Sequence, residues 1–141
     1  MIAVNKEIEA ELRLHAERTY PNECCGFLLG EIETDQTRAI KRLLPIDNSR
    51  EDEERFHRFL ITPEDFLAAE KTARSIGLDI LGIYHSHPNA KAQPSGYDLD
   101  FALPFYSYII TSVYEGKSAD INSFRLSDYD RQFDKEEILW R

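Results

Sequence analysis

Cysteine is nearly absent from this chain: among 141 residues there are two, the neighbours Cys24 and Cys25. Their Cα atoms sit about 3.8 Å apart across a trans peptide, closer than an ordinary disulfide spans, so no internal disulfide framework is expected. No apolar run approaches the roughly eighteen residues of a membrane span. The opening MIAVNKEIEA also lacks the apolar stretch of a secretory signal, so a cytoplasmic protein without a membrane partner is expected. Positive charge is in short supply: 17 Lys and Arg stand against 26 Asp and Glu, a formal net charge of −9. That balance repels phosphate backbones and excludes nucleic acid as a general partner. Histidine is scarce as well, with four in all, yet two of them fall within Tyr84-His85-Ser86-His87. A chain of this length suits a single domain, residues 1–141, that buries roughly two-thirds of its unfolded surface.

What is present alternates between helical and strand patterns. Ile8, Leu12 and Ala16 recur at helical spacing between Asn5 and Tyr20, and Pro21 closes the segment. Cys24 to Gly30 is a short apolar run of the buried-strand kind, and Thr37 to Pro45 alternates into a second strand. Asn48 to Arg55 is polar and highly charged, the composition of a mobile surface loop. Phe56 to Ile61 is aromatic and β-branched enough for a strand. Thr62-Pro63 then caps a helix whose buried face is Phe66, Ala69, Ala73 and Ile76, with Gly77 at its end. Asp79 to Tyr84 is almost continuously apolar, which predicts a central strand leading directly into the histidines. Ser95 opens a short helix that Pro104 limits, and Tyr106 to Tyr114 and Ile121 to Leu126 read as further strands. The apolar Ile138-Leu139-Trp140 predicts a last turn docked on the body. No repeat or linker interrupts the pattern. The fold class is α/β or α+β, a mixed sheet packed with helices.

The chemistry concentrates around the paired histidines. Residues two apart at the end of a strand share a side of the backbone, so His85 and His87 can offer nitrogen to one point. Asp98 follows eleven residues after His87 and adds a carboxylate from the first turn of the short helix. Two His and one carboxylate leave a fourth position open at a tetrahedral zinc, the arrangement of a catalytic rather than a structural site. Hydrolysis then needs a base for the attacking water, and Glu23, at the edge of the first apolar strand, is the candidate. Ser95 is placed to donate to a developing oxyanion, although Ser95 and Asp98 taken alone also spell a capping box. His15 and His57 have no such company and read as ordinary helix-face or loop residues.

His-x-His, seven residues, Ser, two residues, Asp arises by chance on the order of once in two thousand sequences of this composition. With Glu23 upstream, this pattern resembles the JAMM, or MPN-plus, metallopeptidase family. The likeness runs through Pro21 to Gly30, Tyr84 to Asp98 and Leu103 to Val113, and is greatest to the small free-standing bacterial members. It implies a curved mixed sheet between helices and one zinc per chain, held by His85, His87 and Asp98. It further implies Glu23 as general base and Ser95 as oxyanion donor. The implied reaction is hydrolysis of a peptide or isopeptide bond after the terminal Gly-Gly of a ubiquitin-like sulfur-carrier protein. The chain lacks the long insertions of family members that cut ubiquitin chains.

Two other functions stand beside it: a peptidase on other small peptides without a ubiquitin-like partner, and a non-catalytic MPN scaffold that binds proteins. Such scaffolds typically lack one or more of the five motif residues, and all five are present. A zinc deaminase would need His-x-Glu and a later Pro-Cys-x-x-Cys, and neither occurs. Cys24 and Cys25 are assigned to packing. For the Gly-Gly tail, Phe56 to Ile61 is the expected edge for strand addition, with Phe56 and Phe59 narrowing the channel unless they pack in the core.

Overall fold

The computed structural model describes residues 1–47, 59–127 and 129–141. Among the described residues eight strands and three helices follow in chain order: β1 (Ile2–Val4), α1 (Lys6–Thr19), β2 (Cys25–Ile32), β3 (Arg38–Ile46), α2 (Pro63–Ser75) and β4 (Asp79–Pro88). After these come α3 (Gly96–Asp100), β5 (Ser107–Tyr114), β6 (Lys117–Leu126), β7 (Phe133–Glu136) and β8 (Ile138–Trp140). The strands form one mixed sheet in the order β7-β6-β5-β4-β2-β3-β1-β8. Among the described residues no helix is long and apolar enough to cross a membrane.

Side-chain alternation in the central strands separates two layers. Leu28 of β2 points to the side of α1, where Ile8, Leu12 and Ala16 are buried; Phe27 and Leu29 point to the other, against Ala69 and Ala73 of α2. The α1 layer draws residues from β1 through β5, with Ile121 of β6 and Ile138 of β8 packed against it, so the sheet curls round that helix. β7 and β8 lie at opposite ends of the strand order yet are joined by Glu137 alone. This is possible because the curl brings the two ends together, and residues of β6, β7 and β8 line one cavity.

Each helix is stopped and started by local chemistry. Asn5 Oδ1 accepts from Ile8 N at 2.8 Å to begin α1. The Thr62–Asp65 capping box begins α2. Gly77, at φ +72°, turns the chain after α2, a conformation that costs a residue without Cβ nothing. Ile76, expected on the buried face, is instead 40% exposed. It is the C-cap, where helical geometry has already lapsed, so the spacing that buries Ala69 and Ala73 does not extend to it.

β4 contains the irregularity that aims the site. Leu28 pairs with Gly82 while Leu29 pairs with Ile80, leaving Leu81 as the extra residue of a bulge. Ile80 and Ile83 then pack on the α2 side, and Leu81 and Tyr84 on the α1 side. The buried Arg38 guanidinium donates to the Leu81 carbonyl at 3.0 Å. From Ile83 onward the period of two carries His85 and His87 on the α2 side.

Two further expectations differ from the fold, and one falls where nothing tests it. The tail docks as β8, parallel to β1, not as a turn. The loop Asn48–Arg55, Phe56 and His57 lie outside the described residues. Phe59 to Ile61 is irregular and not a strand: the Phe59 carbonyl accepts from the Tyr97 hydroxyl at 3.0 Å, and the chain runs on into the α2 cap with no strand beside it among the described residues.

Candidate metal centre

The apolar Asp79–Tyr84 run makes β4 a central strand between β2 and β5, and the strand runs on to Pro88 with the histidines near its end, as their period of two requires. Parallel pairing with β5 continues through His85 opposite Ile110 and His87 opposite Ser112, so both histidines sit in the strand itself. On the other flank β2 reaches Cys25 opposite His85, and the ladder carries on through Ser86 N donating to the Cys24 carbonyl at 3.2 Å. Glu23, two residues before the start of β2, is buried to 7% exposure.

Three donor groups meet on this face. His85 Nε2 lies 3.1 Å from His87 Nε2, 3.3 Å separates it from Asp98 Oδ1, and His87 Nε2 is 3.2 Å from Asp98 Oδ2. Ligands at about 2.0–2.1 Å from a tetrahedral metal stand about 3.3 Å apart along the tetrahedron edge, so these spacings fit one divalent ion. The His87 ring is oriented for coordination, since its Nδ1 donates to the Lys91 carbonyl at 2.8 Å and leaves the Nε2 lone pair facing the cluster. His85 Nδ1 is buried without a hydrogen-bond partner among the described residues. Its ring lies 4.5 Å, centroid to centroid, from that of Phe59.

The electrostatics match the protonation states that a metal requires. Burial pushes the His85 imidazole below its ordinary value, against the pull of Asp98, and so favours the neutral ring. For Asp98 burial acts to raise the pKa, but the two imidazoles and the Ser95 N–H outweigh it and hold the carboxyl well below the usual range. A neutral imidazole at His85 and a carboxylate at Asp98 are the forms such an ion takes.

Ser95 joins the cluster through α3. Its Oγ accepts from Asp98 N at 3.1 Å and its N–H donates to Asp98 Oδ2 at 2.8 Å, the reciprocal capping box that its spacing spelled. Because Oγ is the acceptor in that bond, the box does not use its hydrogen. Burial pushes the Cys24 thiol up to about 12 and raises Cys25 as well, so neither is a ready nucleophile.

Two participants escaped the sequence reading. The Lys91 carbonyl is main chain and carries no residue signature. His15 is not an ordinary helix-face residue: its Nδ1 pairs with the buried Tyr84 hydroxyl at 2.8 Å. Its helix position gave no hint of that, because the partner lies 69 residues away.

Comparison with known proteins places this arrangement in context. The model of the family described as prokaryotic homologs of the JAB domain matches residues 5–127. Tail tip assembly protein K of Escherichia phage N15 is 38% identical over 94 residues, which are 66% of this chain and 32% of that protein. The probable TtuB-protein conjugate cleaving protease of Thermus thermophilus is 31% identical over 110 residues, 78% of this chain and 69% of that protein. The chain therefore spans about a third of the phage protein's length. A protein of Desulfitobacterium hafniense solved in solution superposes with a TM-score of 0.86 at 34% identity, over 100% of this chain and 93% of that one.

Proposed function

The chain belongs to the prokaryotic homologs of the JAB domain, and from that membership we propose that it is a zinc-dependent hydrolase. Its substrate on this reading is a peptide or isopeptide bond after the C-terminal Gly-Gly of a ubiquitin-like sulfur-carrier protein. One observation carries the reading: His85 Nε2, His87 Nε2 and the Asp98 carboxylate converge at tetrahedral-edge spacing. These three would hold one zinc, which when bound supplies Lewis acidity that polarises the scissile carbonyl and acidifies the attacking water. Glu23 takes the water's proton and passes it to the leaving amine, so the C–N bond breaks to give a carrier carboxylate and a free amine. Ser95 donates its hydroxyl hydrogen to the carbonyl oxygen as negative charge grows there, while the same oxygen goes on capping α3.

The substrate class is supported by the Thermus relative, named for cleaving TtuB-protein conjugates. The acidic composition and the absence of a membrane-crossing helix among the described residues agree with work on proteins in the cytoplasm. A second reading, a peptidase on other peptides without a carrier partner, is supported by the likeness to the phage tail tip protein. Mass spectrometry of candidate carriers incubated with the zinc-loaded protein separates the two. The first reading expects mass lost after Gly-Gly, and intact carriers alongside cleaved short peptides favour the second. Glu23→Gln is expected to keep its zinc and lose hydrolysis by roughly a hundredfold or more, since an amide cannot take the proton. An active Glu23→Gln protein would remove Glu23 from the mechanism.

A further inference from the structure

A cavity of about 220 Å³ opens directly beside the metal cluster, with His85 and Asp98 in its wall and Phe59, Phe66, Phe101 and Leu103 around it. Among the described residues its other polar side chains are two neutral tyrosine hydroxyls, each holding a backbone partner. The Tyr97 hydroxyl donates to the Phe59 carbonyl, and the Tyr108 hydroxyl accepts from Leu103 N at 2.6 Å. Among the described residues the only ionised side chain in the wall is Asp98, and it is committed to His85, His87 and the Ser95 N–H. Among the described residues no further charged side chain lines it to pair with a substrate ammonium or carboxylate, and an unpaired charge entering such a wall would lose its water without compensation. Two of the lining residues are large apolar side chains left open to solvent, Phe101 at 63% and Leu103 at 42% exposed.

The geometry points to a specificity pocket for one apolar side chain, that of the residue supplying the leaving amine. A cavity of about 150 Å³ lined by Leu, Ile and Phe is enough for benzene, so this one admits a phenylalanine or leucine side chain. Its position fixes which part of a substrate can fill it. With both His85 and Asp98 in the wall, the occupant belongs to a residue at the scissile bond or next to it. This inference rests on the proposed hydrolase reading, in which the two residues before the bond are glycines. These have no side chain to offer, so the pocket falls to the residue after the bond. The enzyme therefore prefers linear Gly-Gly-X substrates in which X is large and apolar.

The test uses the zinc-loaded full chain and carrier-tail peptides ending in Gly-Gly-X, with X as Phe, Leu, Ala, Asp or Lys. Phe and Leu are expected to exceed Ala in kcat/KM by about tenfold to a hundredfold, with Asp and Lys lowest. In Leu103→Trp, which fills the cavity, the ratio of Phe to Ala should fall toward one; Phe101→Ala, which opens a wall, serves if that variant does not fold. Binding is read separately by titrating N-acetyl-phenylalaninamide and the corresponding aspartate amide into the wild-type protein. The phenylalanine compound should shift the NMR signals of Phe101 and Leu103, and the aspartate compound should not. Cleavage indifferent to X, or no shift with the phenylalanine compound, overturns the pocket. If no peptide is cut but the shifts appear, the pocket stands as an apolar side-chain site and the hydrolase reading is what fails.

Discussion

On the α1 side of β4, Tyr84 and Ser86 are buried polar residues whose needs are met inside the protein: the tyrosine hydroxyl pairs with His15 and the serine Oγ accepts from Cys24 N at 2.8 Å. On the α2 side of the same strand, His85 and His87 alternate with them and point two ring nitrogens at each other and at a carboxylate. Burial and polarity are alike on the two sides, and the difference lies in what the groups face. A buried polar group with a complementary partner stabilises one geometry. Buried ring nitrogens and carboxylate oxygens converging on one another are satisfied by a shared proton or by a bound cation, and three such groups at one point suit the cation. Polar content alone therefore does not mark a site; the sign and direction of the facing atoms do.

The largest effect that sharpens this contrast is loss of metal. His85→Ala, His87→Ala and Asp98→Ala are each expected to strip zinc from a protein that otherwise holds about one per chain, because two remaining ligands bind it poorly. Metal analysis of the purified variants checks this, and full occupancy in all three would refute the ligand set. Next in size, Ser95→Ala should lower kcat by about a hundredfold with zinc retained. The same substitution removes a helix cap, at a cost of about 1 kcal/mol in stability. A lower Tm with an unchanged rate per zinc would reduce Ser95 to capping alone.

On the α1 side the expected consequence is smaller and of another kind. Tyr84→Phe leaves His15 Nδ1 without its partner and should cost about 1 kcal/mol by denaturant melting, with zinc content intact. Zinc lost from that variant would show that the two sides are coupled, not independent. The smallest effect concerns the thiols. With Cys24 buried and raised to about 12, iodoacetamide at pH 8 should leave the folded protein unmodified, and the double Cys→Ala variant should keep chelator-sensitive activity. A folded, zinc-loaded but inactive double variant would overturn the metal mechanism in favour of a thiol one.

The donor set was legible in the sequence because its geometry depends on short separations. Two residues along a strand, and Ser95 to Asp98 across the first turn of a helix, are distances that local structure fixes. The helices were legible for the same reason, with Asn5 and Thr62 standing where caps belong. The bulge at Leu81 was not, since it exists only in relation to Leu28 and Leu29 of a neighbouring strand. β1 and β8, three residues each, are too short to show a period, and each is a strand only because another strand lies beside it. Phe59 was placed near the channel for its aromatic character, and its ring does lie against His85; Phe59 to Ile61 are not a strand, and the other half of the strand expected there lies outside the described residues.

The joining of opposite sheet edges through Glu137 has a kinetic side. Ile2 pairs with Ile138, which makes this contact among the most distant in sequence that the chain contains. Closing so long a loop costs on the order of 4 kcal/mol in chain entropy before any contact repays it, whereas β2, β3, β4 and β5 pair across shorter spans. The β1–β8 pairing is therefore expected to form after those of β2 to β5. Because β4 lies three strands away from β1 in the ladder, exchange of amide hydrogens along β8, where Leu139 and Trp140 are exposed, does not require β4 to part from β2 and β5.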